Sequence, residues 1–161
     1  MAKLQPSLLD RLTDLNPDKK KESSSQQQLS QQQYKDAVIR DLVWLLNTAA
    51  AESTLDMSGF PDVKNSVLNY GMPDISGHMA SSIDTKNLEK ALKRVIYRFE
   101  PRIIMNSLNL RVSSDPDTMS HNSLEFEIEG VVFEQPMPFQ IALRSRLDLE
   151  CGEFDIREQT R

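Results

Sequence analysis

Residues 84–112 read DTKNLEKALKRVIYRFEPRIIMNSLNLRV, and the hydrophobic period changes within this stretch. Before the proline, apolar residues recur at i, i+4, i+7, i+8 and i+11, as Leu88, Leu92, Val95, Ile96 and Phe99. Pro101 is expected to stop this helix, because proline cannot continue the backbone hydrogen bonding of a helix interior. After it, Leu108–Val112 alternates apolar and polar residues, which is typical of a strand with one solvated face. The stretch therefore predicts a helix followed by a sheet.

The same alternation of apolar and polar residues recurs further along the C-terminal half. It is found in Leu124–Glu129 and again from Phe139–Leu143 into Leu147–Glu150. Asp115–Asp117 is a turn sequence and Glu134–Pro138 a proline-containing connection, so sequential antiparallel hairpins are expected. Because helices precede strands, the predicted class is α+β. N-terminal helices pack on a mainly antiparallel three- to four-stranded sheet formed by the C-terminal half.

A core helix is predicted over Asp36–Ala50, where apolar residues recur at spacings of three and four. Arg40 and Asp41 lie outside its apolar face, and Trp44 lies at the edge of that face. Trp44 is therefore expected either to pack in the core or to form part of an interface.

A shorter helix is predicted over residues 62–68, with Val63, Val67 and Leu68 directed inward. The glycine and proline that follow indicate a tight turn, in which Gly71 is expected to have positive φ. The candidate residues of this structural turn are Asn69, Tyr70, Gly71, Pro73 and Asp74.

The N-terminal segment Ser7–Leu12 predicts a short amphipathic helix with a serine at its start. The segment after it holds lysines, serines and glutamines with little to bury, which indicates a solvated linker. The predicted organisation is a docking helix at 1–15, a Ser/Gln-rich linker at 16–34 and one globular domain at 35–161. The helix either frays or docks on a partner. Docking is favoured because tethered leucines need an apolar surface, and the candidate contacts are Leu8, Leu9, Arg11 and Leu12.

Composition argues against several classes of protein. The 19 Lys and Arg against 24 Asp and Glu give a net charge of -5, which disfavours nucleic-acid binding. The longest apolar stretch, Leu42–Ala51, is about half the roughly 20 residues that a membrane span needs. The first residues do not resemble a secretory signal, so a cytoplasmic protein without membrane insertion is expected. With one cysteine and two histidines, neither a disulfide nor a zinc site is expected, and no cofactor is predicted.

No arrangement of residues indicates an enzyme. The sequence contains no glycine-rich phosphate loop and no Gly-x-Ser-x-Gly turn. Glu100 with a strand carboxylate such as Glu127 is a weak candidate pair for glycoside hydrolysis, but alternation places the strand carboxylates on a solvated face.

Charge is concentrated on the helix of residues 84–99 and at the corner that follows it. The basic residues are Lys86, Lys90, Lys93, Arg94, Arg98 and Arg102, against only Glu89 and Glu100. This basic ridge is either a solvated helix face or a docking face for an acidic segment of another protein. Glu100 opposes the helix dipole and needs a cation, which is either Arg102 or a group on another chain.

Four segments together resemble the baseplate subunit family TssE of bacterial type VI secretion systems. They are Ser7–Leu12, Arg40–Thr48, Ser66–Asp74 and Phe99–Arg102. That family is the counterpart of the small wedge subunit of contractile phage tails, which has long been labelled lysozyme-like.

The resemblance implies a structural protein of a six-fold, hetero-oligomeric baseplate. It implies binding to the larger baseplate wedge subunits and to the first ring of contractile sheath subunits. Glu100, Pro101 and Arg102 match the motif for sheath attachment, beside a sheet edge that accepts an added strand, and Arg98 adjoins them. The implied location is the bacterial cytoplasm, at the inner face of the inner membrane.

Two other functions remain as alternatives. One is a lysozyme-like peptidoglycan hydrolase that uses Glu100, and it rests on the family label alone. The other is a small cytosolic anti-adaptor that binds a response regulator.

Overall fold

The helices precede an antiparallel sheet in the computed structural model of the chain, which describes residues 7–13, 18, 29–113, 122–134 and 137–158. The α-helices of these residues are α1 (Leu8–Leu12), α2 (Gln31–Leu46), α3 (Pro61–Lys64) and α4 (Thr85–Phe99). The strands are β1 (Asn109–Ser113), β2 (Ser123–Val132), β3 (Phe139–Asp148) and β4 (Phe154–Glu158), in the spatial order β1-β2-β3-β4. All neighbouring strands are antiparallel, which confirms the α+β class.

Helix α2 begins five residues before the predicted start. Ser30 caps it by accepting from the backbone N–H of Gln33, and the Gln33 side chain accepts from the backbone N–H of Ser30. Gln31 also donates to the buried Glu134 at the end of β2, over 3.0 Å. Residues 31–34 therefore belong to the helix rather than to the linker. The rest of the predicted linker, apart from Asp18, Leu29 and Ser30, lies outside the described residues.

The same helix ends four residues before the predicted end. The Thr48 hydroxyl donates to the carbonyl of Trp44 over 2.6 Å, and the Asn47 side chain donates to the carbonyl of Val43 over 3.0 Å. The Val43 carbonyl also accepts from the backbone N–H of Asn47, over 3.0 Å. Side chains that bond the carbonyls of the last turn in this way compete with continuation of the helix, which ends before Ala49 and Ala50.

Helix α4 has the bounds that its apolar stripe predicts. Asp84 caps its start by accepting from Asn87, and the helix ends at Phe99. Leu88, Leu92 and Ile96 are buried, and they pack with α2 residues such as Leu42 against one face of the sheet. The opposite face of the sheet is charged. There Glu125 pairs with Arg146, and Glu127 pairs with Arg144.

The predicted short helix at 62–68 is wrong in extent and orientation. Only Pro61–Lys64 is α-helical, and a separate 3-10 turn covers Val67–Asn69. Val67 and Leu68 are exposed instead of directed inward. Ser66 causes the break, because its hydroxyl accepts from the backbone N–H of Leu68 and starts a new turn.

Strand β4 is a fourth strand that the alternation did not single out. Phe154 and Ile156 are its only apolar residues, so its two-residue period is too short to recognise. It pairs with Leu143–Leu147 of β3. The turn predicted at Asp115–Asp117 lies outside the described residues, as do residues 135–136 of the second connection.

Candidate partner-binding corner

The corner between α4 and the sheet is built by residues 100–104. Glu100 closes the helix by donating its backbone N–H to Ile96 over 2.8 Å. Pro101 then turns the chain, and Ile103 forms an antiparallel bridge with Val132. The N–H of Phe133 donates to the carbonyl of Arg102, and that of Ile104 to the carbonyl of Val131, each over 2.8 Å. The corner is thus hydrogen-bonded to the end of β2.

Glu100 and Arg102 form a buried ion pair at this corner. The Glu100 side chain is only 3 % exposed. Its Oε1 accepts from the backbone N–H and from Nε of Arg102, and its Oε2 accepts from Nη2. Nη2 also donates to Oδ2 of Asp41 on α2, over 2.6 Å. The cation that Glu100 needs is therefore supplied by its own chain, so Pro101 and its two neighbours form a structural corner.

The environment of Arg102 holds it in its charged form. Burial opposes the charge, but the hydrogen bonds and charges of Glu100 and Asp41 outweigh it and raise the pKa of Arg102. The guanidinium also lies 5.9 Å from the centre of the Tyr34 ring. Burial raises the pKa of the Tyr34 phenol as well, so the ring stays neutral beside the pair.

The ion-pair network continues from Asp41 to the N-terminal helix. Oδ1 of Asp41 accepts from Nη2 of Arg40 over 2.7 Å, and Nη1 of Arg40 donates to Oδ1 of Asp10 over 2.5 Å. The hydrogen bond from Arg40 lowers the pKa of Asp10, and the one to Asp10 raises the pKa of Arg40. The Arg40 guanidinium lies 4.9 Å from the centre of the exposed Trp44 ring. Five charged side chains thus connect α1 to the corner.

Helix α1 is attached to the domain by its polar side. Ser7 caps it, and Asp10 provides the contact with Arg40. Leu8 and Leu12 are 71 % and 74 % exposed, and Leu9 is exposed too. Arg11 lies in the last turn and is also exposed. All four residues predicted to bind a partner therefore face away from the core.

The structural turn at 69–74 lies beside the corner. The ring of Tyr70 packs edge-on against Phe99 with their centres 5.1 Å apart. Burial, followed by the charges of Asp41 and Glu100, raises the pKa of Tyr70. Asn69 is buried, and its side chain accepts from the N–H of Glu52 over 2.9 Å.

Gly71 has φ of +123°, which confirms the expected positive φ. The N–H of the next residue, Met72, donates to the carbonyl of Thr48 over 2.8 Å. This hydrogen bond brings the Thr48 carbonyl close to Gly71. Beyond Pro73, which is partly buried, the N–H of Asp74 donates to the hydroxyl of Ser53 over 3.1 Å. The turn therefore ties the loop of residues 70–74 to the end of α2 and to the segment that follows it.

Arg98 is not part of the ion-pair network at the corner. Its Nη1 donates to the carbonyl of Lys64 over 3.2 Å, away from Glu100. Arg40, Asp41 and Tyr34 are in the site, although the sequence did not mark them as site residues. The sequence carried only part of the information needed to find them. It placed Arg40 and Asp41 outside the apolar face of α2, but it did not show which residues they contact.

The geometry offers little to hydrolytic or metal chemistry. Both oxygens of Glu100 accept from Arg102, while Glu127 pairs with Arg144 on the outer face of the sheet. Among the residues that the structure describes, no group of His, Cys, Asp and Glu could hold a metal ion. In the same residues, no helix is long and apolar enough to cross a membrane.

Comparison with known proteins gives one family. The family described as baseplate wedge protein gp25 matches residues 32–137, which is more than half of the 161-residue chain. No curated protein and no solved structure matches the chain significantly. The matched range contains α2 from its second residue, the turn at 69–74, α4, the corner, β1 and β2, but not α1, β3 or β4.

Proposed function

Because the chain belongs to the baseplate wedge protein gp25 family, we propose that it joins the baseplate of a type VI secretion machine to its contractile sheath. Family membership makes it a component of a phage-tail-like baseplate. The proposal of a type VI machine is further supported by the resemblance to TssE, which includes the N-terminal leucine helix. The proposed role is structural, with the protein assembling partners and catalysing no reaction.

The observation that supports this role best is the corner at Glu100, Pro101 and Arg102. Its charged groups are held by hydrogen bonds within the chain, and the Arg102 side chain remains 21 % exposed. Exposed apolar side chains of Ile104 and Phe133 border it on the two hydrogen-bonded segments. A rigid arginine bordered by apolar groups is typical of the energetic centre of an interface. We propose that sheath subunits dock beside this corner.

Strand addition needs an open sheet edge, and the two edges differ. At β1 the outward N–H of Val112 donates to the Glu89 side chain over 2.9 Å, so α4 occupies this position of the edge. At β4 the Asn47 side chain bonds both the N–H and the carbonyl of Phe154. Antiparallel pairing alternates, so the N–H of Ile156 also points outward. No described residue accepts from it. We therefore propose that β4 accepts the added strand.

The N-terminal helix supplies a second proposed contact. Leu8, Leu9 and Leu12 form an apolar surface on a tethered helix, which fits a groove on one of the larger wedge subunits. The assembly proposed is the six-fold baseplate in the bacterial cytoplasm, at the inner face of the inner membrane.

The test uses Ile156→Pro in cells that lack the native chain and carry a fluorescent sheath subunit. Proline removes the outward N–H without breaking a bond to β3, so the fold is expected to persist while the added strand loses a hydrogen bond. Sheath assembly should fall to the level of cells without the protein. Ile156→Ala removes the side chain but keeps the N–H, and should retain most sheaths. Normal sheath numbers with Ile156→Pro would contradict strand addition at β4.

A further inference from the structure

Helix α4 carries a row of cations that the sheath-joining role does not use. The part of the basic ridge within α4 consists of Lys86, Lys90, Lys93, Arg94 and Arg98, whereas its sixth member, Arg102, is paired at the corner. From Lys86 to Arg98 it covers thirteen residues, or about 18 Å along the helix axis. In the described part of the chain, none of its first four members forms an ion pair. By contrast, Arg144, Arg146 and Arg157 on the sheet each pair with a carboxylate.

A group of exposed apolar residues lies on the short helices that follow α2. We call this the short-helix platform, defined by four side chains that are each at least 60 % exposed: Leu55, Phe60, Val67 and Leu68. The segments that carry the platform are joined by the side chain of Asn69, which is buried. Its side chain accepts from the N–H of Glu52 over 2.9 Å and donates to the carbonyl of Lys64 over 3.1 Å. The exposed apolar groups therefore stand on an ordered support.

The basic ridge and the platform meet at Arg98. Its Nη1 donates to the carbonyl of Lys64, the last residue of α3, over 3.2 Å. Arg94 lies one helical turn before Arg98 on the same face of α4, and Lys90 one turn before that. The C-terminal end of the ridge therefore contacts the end of α3, within the segment that carries the platform residues.

The acidic residues of the platform are engaged locally. Glu52 pairs with Lys64 over 2.9 Å, and Asp56 accepts from the N–H of Ser58 over 3.0 Å. Asp62 lies in the first turn of α3, where the helix dipole favours a negative charge. The ridge cations before Arg98 have no ion-pair partner in the described residues.

We propose that this surface binds a segment of another protein that has an acidic stretch followed by apolar anchor residues. Carboxylates would pair with the ridge, and the apolar residues would cover the platform. The net charge of -5 disfavours a nucleic acid or an anionic membrane as the occupant.

The test is titration of the purified chain with synthetic peptides that join a run of glutamates to a leucine- and phenylalanine-rich run, in either order. One matched peptide carries glutamines in place of the glutamates, and another carries serines in place of the apolar residues. The Glu/Leu/Phe peptide should bind at low salt, and both matched peptides should bind at least about tenfold more weakly. Binding should also weaken as salt is raised, because screening reduces the contribution of exposed charges.

Variants of the chain identify the surface that binds the peptide. Lys90→Glu with Arg94→Glu should weaken binding at least about tenfold by reversing the ridge charge, and Val67→Ser with Leu68→Ser should do so by removing apolar contacts. Arg157→Glu and Met105→Ser, which change an exposed charge and an exposed apolar residue elsewhere, should leave affinity unchanged.

Three outcomes would overturn the proposal. They are absence of peptide binding, equal binding by the ridge or platform variants, and concentration-dependent self-association that the ridge variant abolishes. Tighter binding to anionic vesicles or to DNA than to the peptide would likewise assign the ridge to another occupant. The experiment uses neither a sheath subunit nor another baseplate subunit, so its failure would leave the sheath-joining role unaffected.

Discussion

Glu100 is a buried carboxylate whose ion-pair partner, among the described residues, is Arg102. Removing one partner of a buried ion pair is costly because the other charge stays buried, whereas removing both is often close to neutral. The pair is local in sequence, with only Pro101 between the two charged residues, so the sequence already offered Arg102 as the partner of Glu100. The contact of Arg102 with Asp41 joins residues 61 apart, and no local pattern carries that information.

We predict that Arg102→Met lowers the free energy of unfolding by about 3–5 kcal/mol, because it leaves Glu100 buried without a cation. The double variant Glu100→Gln with Arg102→Met should recover much of this loss. Urea denaturation followed by circular dichroism measures both values. A loss below about 1 kcal/mol for Arg102→Met would mean that Glu100 is less enclosed than its hydrogen bonds indicate.

Gly71 is required for two reasons that can be separated. Its φ is +123°, and a Cβ added there would lie 2.3 Å from the carbonyl oxygen of Thr48. Gly71→Ala should therefore cost more than about 3 kcal/mol of stability. Gly77 has φ of +75° but open space around it, so Gly77→Ala should cost only about 1 kcal/mol. Equal thermal stability of the two variants would contradict the close contact with Thr48.

At the scale of elements, the sequence predicted which segments are helices and which are strands, but not the residues at which several of the helices begin and end. The apolar stripe of α4 and the alternation of β2 each fix a buried face, so burial and local pattern agree. The early start of α2 depends on a capping pair and on the distant Glu134, and Val67 and Leu68 are exposed because Ser66 begins a new turn. Side-chain hydrogen bonds of this kind do not appear in the hydrophobic pattern.

The attachment of α1 should depend on pH. The pKa of Asp10 is lowered in the folded chain by its hydrogen bond with Arg40. Because the pKa of Asp10 is lower when α1 is attached, the contact stabilises the attached state fully at pH values above the ordinary Asp pKa of 3.8. This stabilisation is lost as the pH falls through the lowered pKa of the folded chain. Because both groups are close to the surface, the contribution is about 1 kcal/mol or less.

Trp44, the single tryptophan, should report this change because the Arg40 guanidinium lies over its ring. Acidification below pH 3.8 should change its fluorescence before the far-ultraviolet circular dichroism changes. Asp10→Asn should show the detached signal at neutral pH and lack this early transition. The same transition in Asp10→Asn would contradict an attachment through Asp10.

At the scale of the whole molecule, the fold class followed from one change of period at Pro101, because each period specifies which residues are buried. The candidate site followed only in part. Its residues at 100–102 and in α1 were marked by sequence, but Arg40 and Asp41, which connect them, were not. They meet Asp10 and Arg102 only when α2 packs between α1 and the corner. A connection of this kind is a property of the tertiary structure.

The central claim is that the chain is a wedge subunit that joins a baseplate to a sheath. The measurement that tests it most directly is affinity purification of the tagged chain from its native cells at moderate salt, followed by mass spectrometry. Recovery of the larger wedge proteins together with sheath subunits is the predicted result. Recovery of a single regulatory protein, or of no partner at all, would contradict it.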